Sequence, residues 1–70
     1  MSTTRLLTEQ NTRSVERKIR SAFRAYSHKR YFETFYEHGQ WWTRVPNDDE
    51  DETYSVCDST AEGGFDFERV

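Results

Sequence analysis

Seventy residues with a net charge of −3, 33% of them hydrophobic and 33% charged, allow one domain and a small core, since a chain of this size buries only about 60% of its unfolded surface. A single cysteine excludes an internal disulfide and any zinc-finger spacing. No apolar run approaches membrane-span length, and the apolar part of the N-terminus is too short for a signal peptide, so a lone thiol in a reducing cytoplasm is the expectation.

High charge and low hydropathy would point to disorder if the apolar residues were scattered. They are instead clustered and periodic, and 16% of the chain is aromatic. Residues 1–9 read as a loose tail with Leu6 and Leu7 as its apolar anchors, and residues 10–70 as one small domain. Thr8, Thr12 and Ser14 are all acceptable helix N-caps. From about Asn11 to Ser27 the apolar residues Val15, Ile19, Ala22, Phe23 and Tyr26 recur at spacings that fill a sector of roughly 100° on a helix. Lys29 and Arg30 suit the negative end of that helix.

The other side of the helix carries Arg13, Arg17, Arg20 and Arg24, which fall within roughly 60° of arc. Neighbouring guanidinium groups on one stripe repel, and Glu9 and Glu16 are too few to neutralise them. A solvated helix face is the plain reading of this stripe. The sharper reading is a surface for phosphate or carboxylate, which arginine's planar donor fork matches.

Tyr31 to Val45 reads as one β-hairpin turning at His38-Gly39, where Gly takes a positive φ. A two-residue loop sets Glu37 opposite Gln40, Tyr36 opposite Trp41, Phe35 opposite Trp42, Thr34 opposite Thr43, Glu33 opposite Arg44 and Phe32 opposite Val45. Side chains alternate along a strand. One face therefore carries Phe32, Thr34, Tyr36, Trp41, Thr43 and Val45, without a formal charge. The other carries Tyr31, Glu33, Phe35, Glu37, Gln40, Trp42 and Arg44, including the ion pair Glu33/Arg44 beside the aromatic pair Phe35/Trp42. An ion pair is natural in water and costly in a core, so the uncharged face should be the buried one. A slip of one residue would invert every assignment.

Pro46 ends the second strand, and five consecutive acids, Asp48 to Glu52, follow it. They lack the alternating ligands and mid-loop Gly of a calcium loop, and read as a solvated acidic turn. Thr53 to Asp58 alternates as a third strand with Tyr54 and Val56 inward. Ser59 to Gly64 is turn chemistry, and Phe65 to Val70 alternates as a fourth strand with Phe65 and Phe67 inward. The expected fold is α+β, with one N-terminal amphipathic helix packed on a four-stranded antiparallel β-meander. Its core candidates are Val15, Ile19, Phe23, Tyr26, Phe32, Tyr36, Trp41, Val45, Tyr54, Val56, Phe65 and Phe67.

No pattern points to catalysis, a metal or a cofactor. Cys57 with His28 or His38 would be a nucleophile–base pair only if folding brought them together, and His28, His38, Cys57 and Asp58 match no common zinc spacing. There is no P-loop, no Gly-rich dinucleotide turn and no nucleophile elbow. Two surfaces remain. An aromatic cluster on the outer sheet face, Tyr31, Phe35, Trp42 and Arg44, has the composition of a site for a protein partner or a second copy. The alternative is nucleic-acid binding through Arg13, Arg17, Arg20 and Arg24. Charge weighs against that alternative: residues 1–40 hold eight Lys/Arg and four Asp/Glu, and residues 41–70 hold two and nine, a division of +4 and −7. The acidic half would repel a polyanion.

Overall fold

The computed structural model describes residues 7–59 and 64–70. A 3-10 turn, Leu7–Glu9, precedes helix α1, Arg13–Ser27, and four strands follow: β1 Glu33–Glu37, β2 Gln40–Val45, β3 Glu52–Asp58 and β4 Phe65–Arg69. The strands form one antiparallel sheet in the order β1-β2-β3-β4, with α1 packed on one face. This is the α+β meander that the sequence pattern predicts.

Of the three candidate caps, Thr12 starts the helix. Its backbone is extended (φ −132°, ψ 159°) and its Oγ1 accepts the Val15 N–H at 3.2 Å, which satisfies one of the free donors of the first turn. At the other end His28 takes the left-handed conformation (φ 61°), and its N–H donates to the Arg24 carbonyl at 2.8 Å. Ser27 closes the same turn by donating from Oγ to the Phe23 carbonyl at 2.8 Å.

The hairpin turns at His38 and Gly39, both with positive φ (56° and 71°), the type I′ geometry that matches the twist of two joined strands. All five β1–β2 pairs from Glu33↔Arg44 to Glu37↔Gln40 are the expected ones. Trp41, Thr43 and Val45 are accordingly buried on the helix side, and Trp42 and Arg44 lie half-buried on the far side. Phe32 lies just ahead of β1 and is buried in the same cluster as Val45.

Two adjoining clusters make the core. The first half of α1 brings Val15 and Ile19 onto Trp41, Val56 and Phe65. The second half brings Phe23 onto Phe32 and Val45, with Phe67 packed against both clusters. Phe23 is the aromatic hub of the second, its ring centroid 4.9 Å from Phe32, 5.0 Å from Phe67 and 5.2 Å from Tyr54. Tyr36, Tyr54 and Phe67 are half-buried rather than buried. Tyr26 is a correction to the expected core. It is 56% exposed, because it lies in the last helical turn, where its ring reaches the rim of the core at Phe67, 5.1 Å away, and Tyr54, 6.4 Å away.

Of the stretch read as a tail, residues 1–6, with Leu6, lie outside the described residues. Thr8 is buried, and its N–H and hydroxyl both point to Asp58 Oδ2, at 3.3 and 3.4 Å. Trp41 Nε1 donates to the Gln10 carbonyl at 2.7 Å, and the Tyr36 hydroxyl to that of Glu9 at 3.3 Å. These bonds hold residues 8–10 on the helix side of the sheet. The Ser59–Gly64 turn lies partly outside the described residues, and its ends are joined by Ser59 N–H donating to the Gly64 carbonyl at 3.0 Å.

Candidate functional site

The far face of the sheet is built from every second residue of each strand: Glu33, Phe35 and Glu37 of β1, Gln40, Trp42 and Arg44 of β2, Thr53, Ser55 and Cys57 of β3, and Asp66 and Glu68 of β4. Phe35 and Trp42 stand directly opposite each other, but their rings do not form the expected aromatic pair. Each takes another neighbour. The Arg44 guanidinium lies 4.8 Å from the Phe35 ring centroid, a cation–π contact worth about 0.5–1 kcal/mol at an exposed site. The same guanidinium reaches Glu33 Oε1 at 3.5 Å, so one arginine joins the ring to the carboxylate. Trp42 turns its indole N–H to the Glu37 carbonyl at 3.0 Å, which fixes the ring along the end of the hairpin.

Phe35, Trp42 and Arg44 are thus brought together, half-buried and held by directed contacts, on the face that α1 does not cover. Tyr31 is not joined to them. It precedes β1 and is 82% exposed, and among the described residues no ring contact or hydrogen bond ties it to the other three. The loss has a geometric cause: outside the ladder, strand alternation no longer dictates where a side chain points.

The arginines of α1 divide in the same way. Arg13, Arg17 and Arg24 are exposed. Arg20 is half-buried, with its guanidinium 5.2 Å from the Phe32 ring centroid. Arg13, Glu16, Arg17 and Arg20 line a hollow of about 260 Å³, and Arg24 lies outside it. A larger open hollow, about 690 Å³, runs beside β1 and is lined by Arg20, residues 32–37 and Arg44. Arg20 therefore connects the helix stripe to the rim of the aromatic face, a link that helical spacing does not reveal.

The remaining polar groups are placed structurally. His28 is the helix cap and His38 the turn residue, 3.8 Å from Glu37 through Nε2 and Oε2. Cys57 is exposed, because alternation along β3 turns it to the face opposite Val56. Its one hydrogen-bond partner among the described residues is Gln40 Nε2, at 4.0 Å. Among the described residues no group of three or more His, Cys, Asp or Glu stands close enough to hold a metal ion. Asp48 to Asp51 are exposed, and the loop is pinned where Asn47 donates to Asp51 Oδ1 at 3.4 Å and to Glu52 Oε2 at 3.2 Å. Glu52 also accepts the Tyr54 hydroxyl at 3.1 Å. Burial first, and then this carboxylate, push the Tyr54 phenol above its usual value of 10.0.

No described helix is long and apolar enough to cross a membrane. What the fold and surface define is a small α+β protein with a charged helix stripe and, among the described residues, an aromatic sheet face on the side opposite α1. No protein family, curated protein or solved structure matches the chain.

Proposed function

We propose that this is a small non-catalytic interaction protein, working in the cytoplasm without a cofactor, that binds a protein partner or a second copy through the outer sheet face. Phe35 and Trp42 are the anchors, Arg44 and Glu33 the polar rim, and Tyr31 an outlying contact. The observation that supports it is that two large aromatic side chains are already held in place on a face without a helix. Side chains ordered before binding lose less entropy on association, and aromatic residues with arginine are the usual anchors of such surfaces.

Trp42→Ala tests it. The variant should keep its circular dichroism spectrum, because Trp42 lies outside both core clusters. It should also lose association, measured by crosslinking from a photoreactive residue at position 35 in cell extract and by sedimentation of the purified chain. An unfolded variant, or one that associates as the parent does, would remove the reading.

A second reading, nucleic-acid binding through Arg13, Arg17, Arg20 and Arg24, draws support from the three arginines that gather along one hollow with only Glu16 among them. The −7 of residues 41–70 counts against it. A titration with DNA and RNA at low and moderate salt separates the two readings. Binding that falls steeply with salt and weakens when Arg17 and Arg20 become Gln would favour the second.

A further inference from the structure

We propose that the free edge of β1 takes up an extended segment of a partner protein as a fifth strand. The segment it fits carries acidic side chains toward α1 and basic side chains toward the outer face. The inference rests on the protein-binding reading of that face and specifies the form of the partner.

The turn decides which backbone groups are available. Glu37 and Gln40 flank a two-residue loop and form a hydrogen-bonded pair, so in an antiparallel ladder Phe35/Trp42 and Glu33/Arg44 also exchange bonds with β2. Thr34 and Tyr36 fall between these pairs, and their N–H and C=O groups point away from β2. Among the described residues no strand lies beyond β1 in the sheet order, and no backbone bond outside the regular elements involves either residue. Such a row of unpaired groups is a template for strand addition. The hollow of about 690 Å³ lies along this same edge, where an added strand would run about 4.8 Å from β1.

The flanking charges select the occupant. Residues of the added strand opposite Thr34 and Tyr36 would point to the helix side, where Arg20 stands over Phe32 with no carboxylate partner among the described residues. Residues opposite Glu33 and Glu37 would point outward, beside two carboxylates, and the residue opposite Phe35 would meet its ring. An antiparallel segment reading basic, acidic, apolar, acidic, basic satisfies all five positions. A second copy does not. Two β1 strands paired about Phe35 set Glu33 against Glu37 twice, and like charges directly opposite destabilise a ladder. The chain's own run Asp48 to Glu52 lacks the alternation and would place acids beside Glu33 and Glu37.

The probe is the capped peptide Thr-Lys-Glu-Val-Glu-Lys-Thr, compared with its charge-swapped form Thr-Glu-Lys-Val-Lys-Glu-Thr, added to the full chain while amide hydrogen exchange is followed by NMR. Exchange at Thr34 and Tyr36 should slow about tenfold or more near saturation with the first peptide, with Phe35 unchanged because its amide already lies in the ladder. The swapped peptide should protect these amides less at equal concentration. A synthetic chain N-methylated at the Thr34 amide, with the outer face untouched, should lose the protection at Tyr36. No slowing at millimolar peptide, slowing at β4 in place of β1, or protection that grows with protein concentration in the absence of peptide would each overturn the inference. Peptide-induced shifts confined to the Trp42 indole would leave the outer-face reading standing and remove strand addition. Edge protection by the peptide, with partner crosslinking unaffected by Trp42→Ala, would support strand addition and remove the outer-face anchors.

Discussion

At the scale of single residues, two threonines show what the alternation of the sheet costs. Thr34 and Thr43 are cross-strand neighbours on the helix side, and the hydroxyl oxygen of each is buried without a hydrogen-bond partner. Thr43 is 0% exposed, so water cannot stand in. A buried hydroxyl left unpaired loses its hydration for nothing, whereas an apolar group of the same shape does not. Thr43→Val should therefore raise stability by about 1 kcal/mol, seen as a higher urea midpoint with an unchanged slope. A lower midpoint would mean that the hydroxyl has a partner.

Tyr54 sets a pH limit at the same scale. Its phenol is raised above 10.0 by burial, then by the hydrogen bond to Glu52 and that group's charge. The folded state thus holds a proton that the unfolded state has released in the window above pH 10. Fewer protons bound to the unfolded chain means that stability falls as pH rises. The contribution is fully present below pH 10 and is lost as pH climbs through the folded value. Denaturant unfolding at pH 9 and pH 11 should show a decline that is shallower in Tyr54→Phe. An equal decline in both chains would assign the effect to other groups.

Among the elements, the β1–β2 hairpin has a residue ill-suited to its turn. His38 sits at φ 56°, a region where an ordinary L residue costs roughly 1–2 kcal/mol and Asn is better tolerated. The contact of His38 with Glu37 is solvent-exposed at 3.8 Å, and such pairs contribute little. His38→Asn creates the favoured Asn-Gly turn and should stabilise the fold by ~0.5–1 kcal/mol, read as a rise in melting temperature. A fall would show that the imidazole makes a contact worth more than the strain.

For the whole molecule, stability hangs on a few large rings. Phe23 is fully buried and touches Phe32, Tyr54 and Phe67, so it joins the second half of α1 to β3, β4 and the segment before β1. Phe23→Ala should cost about 3–5 kcal/mol. A chain of this length holds roughly 3.5–10 kcal/mol in total, so the variant should be partly or wholly unfolded at 37 °C by circular dichroism. A folded variant would mean that the two clusters are stable separately. Charge is arranged on the same scale, positive over residues 1–40 and negative over residues 41–70, and it bears on the choice of partner rather than on the fold.

Strand alternation and helical spacing placed Val15, Ile19, Phe23, Trp41, Val45 and Val56 correctly in the core, and the two-residue turn set the β1–β2 register. These follow from sequence because each is a local rule: a period of 2, a period of 3.6, and a glycine at positive φ. The candidate site was legible only as a set of residues sharing a face. That Arg44 takes the Phe35 ring, that Trp42 bonds to the Glu37 carbonyl, and that Arg20 leaves its stripe for Phe32 depend on rotamers chosen by neighbours far along the chain. Thr8 reads in sequence only as a candidate helix cap, and nothing around it announces Asp58 fifty residues on. Tyr26 fits the apolar period yet is exposed, because a period states direction and says nothing of how far the sheet extends beneath. What the sequence by itself determined is therefore the elements, their faces and their order, since these are set by backbone geometry and the removal of apolar groups from water. Only the tertiary structure decided which polar atoms meet, which rings stay wet and which sheet edge is left open, because those depend on distances between segments that no local period encodes.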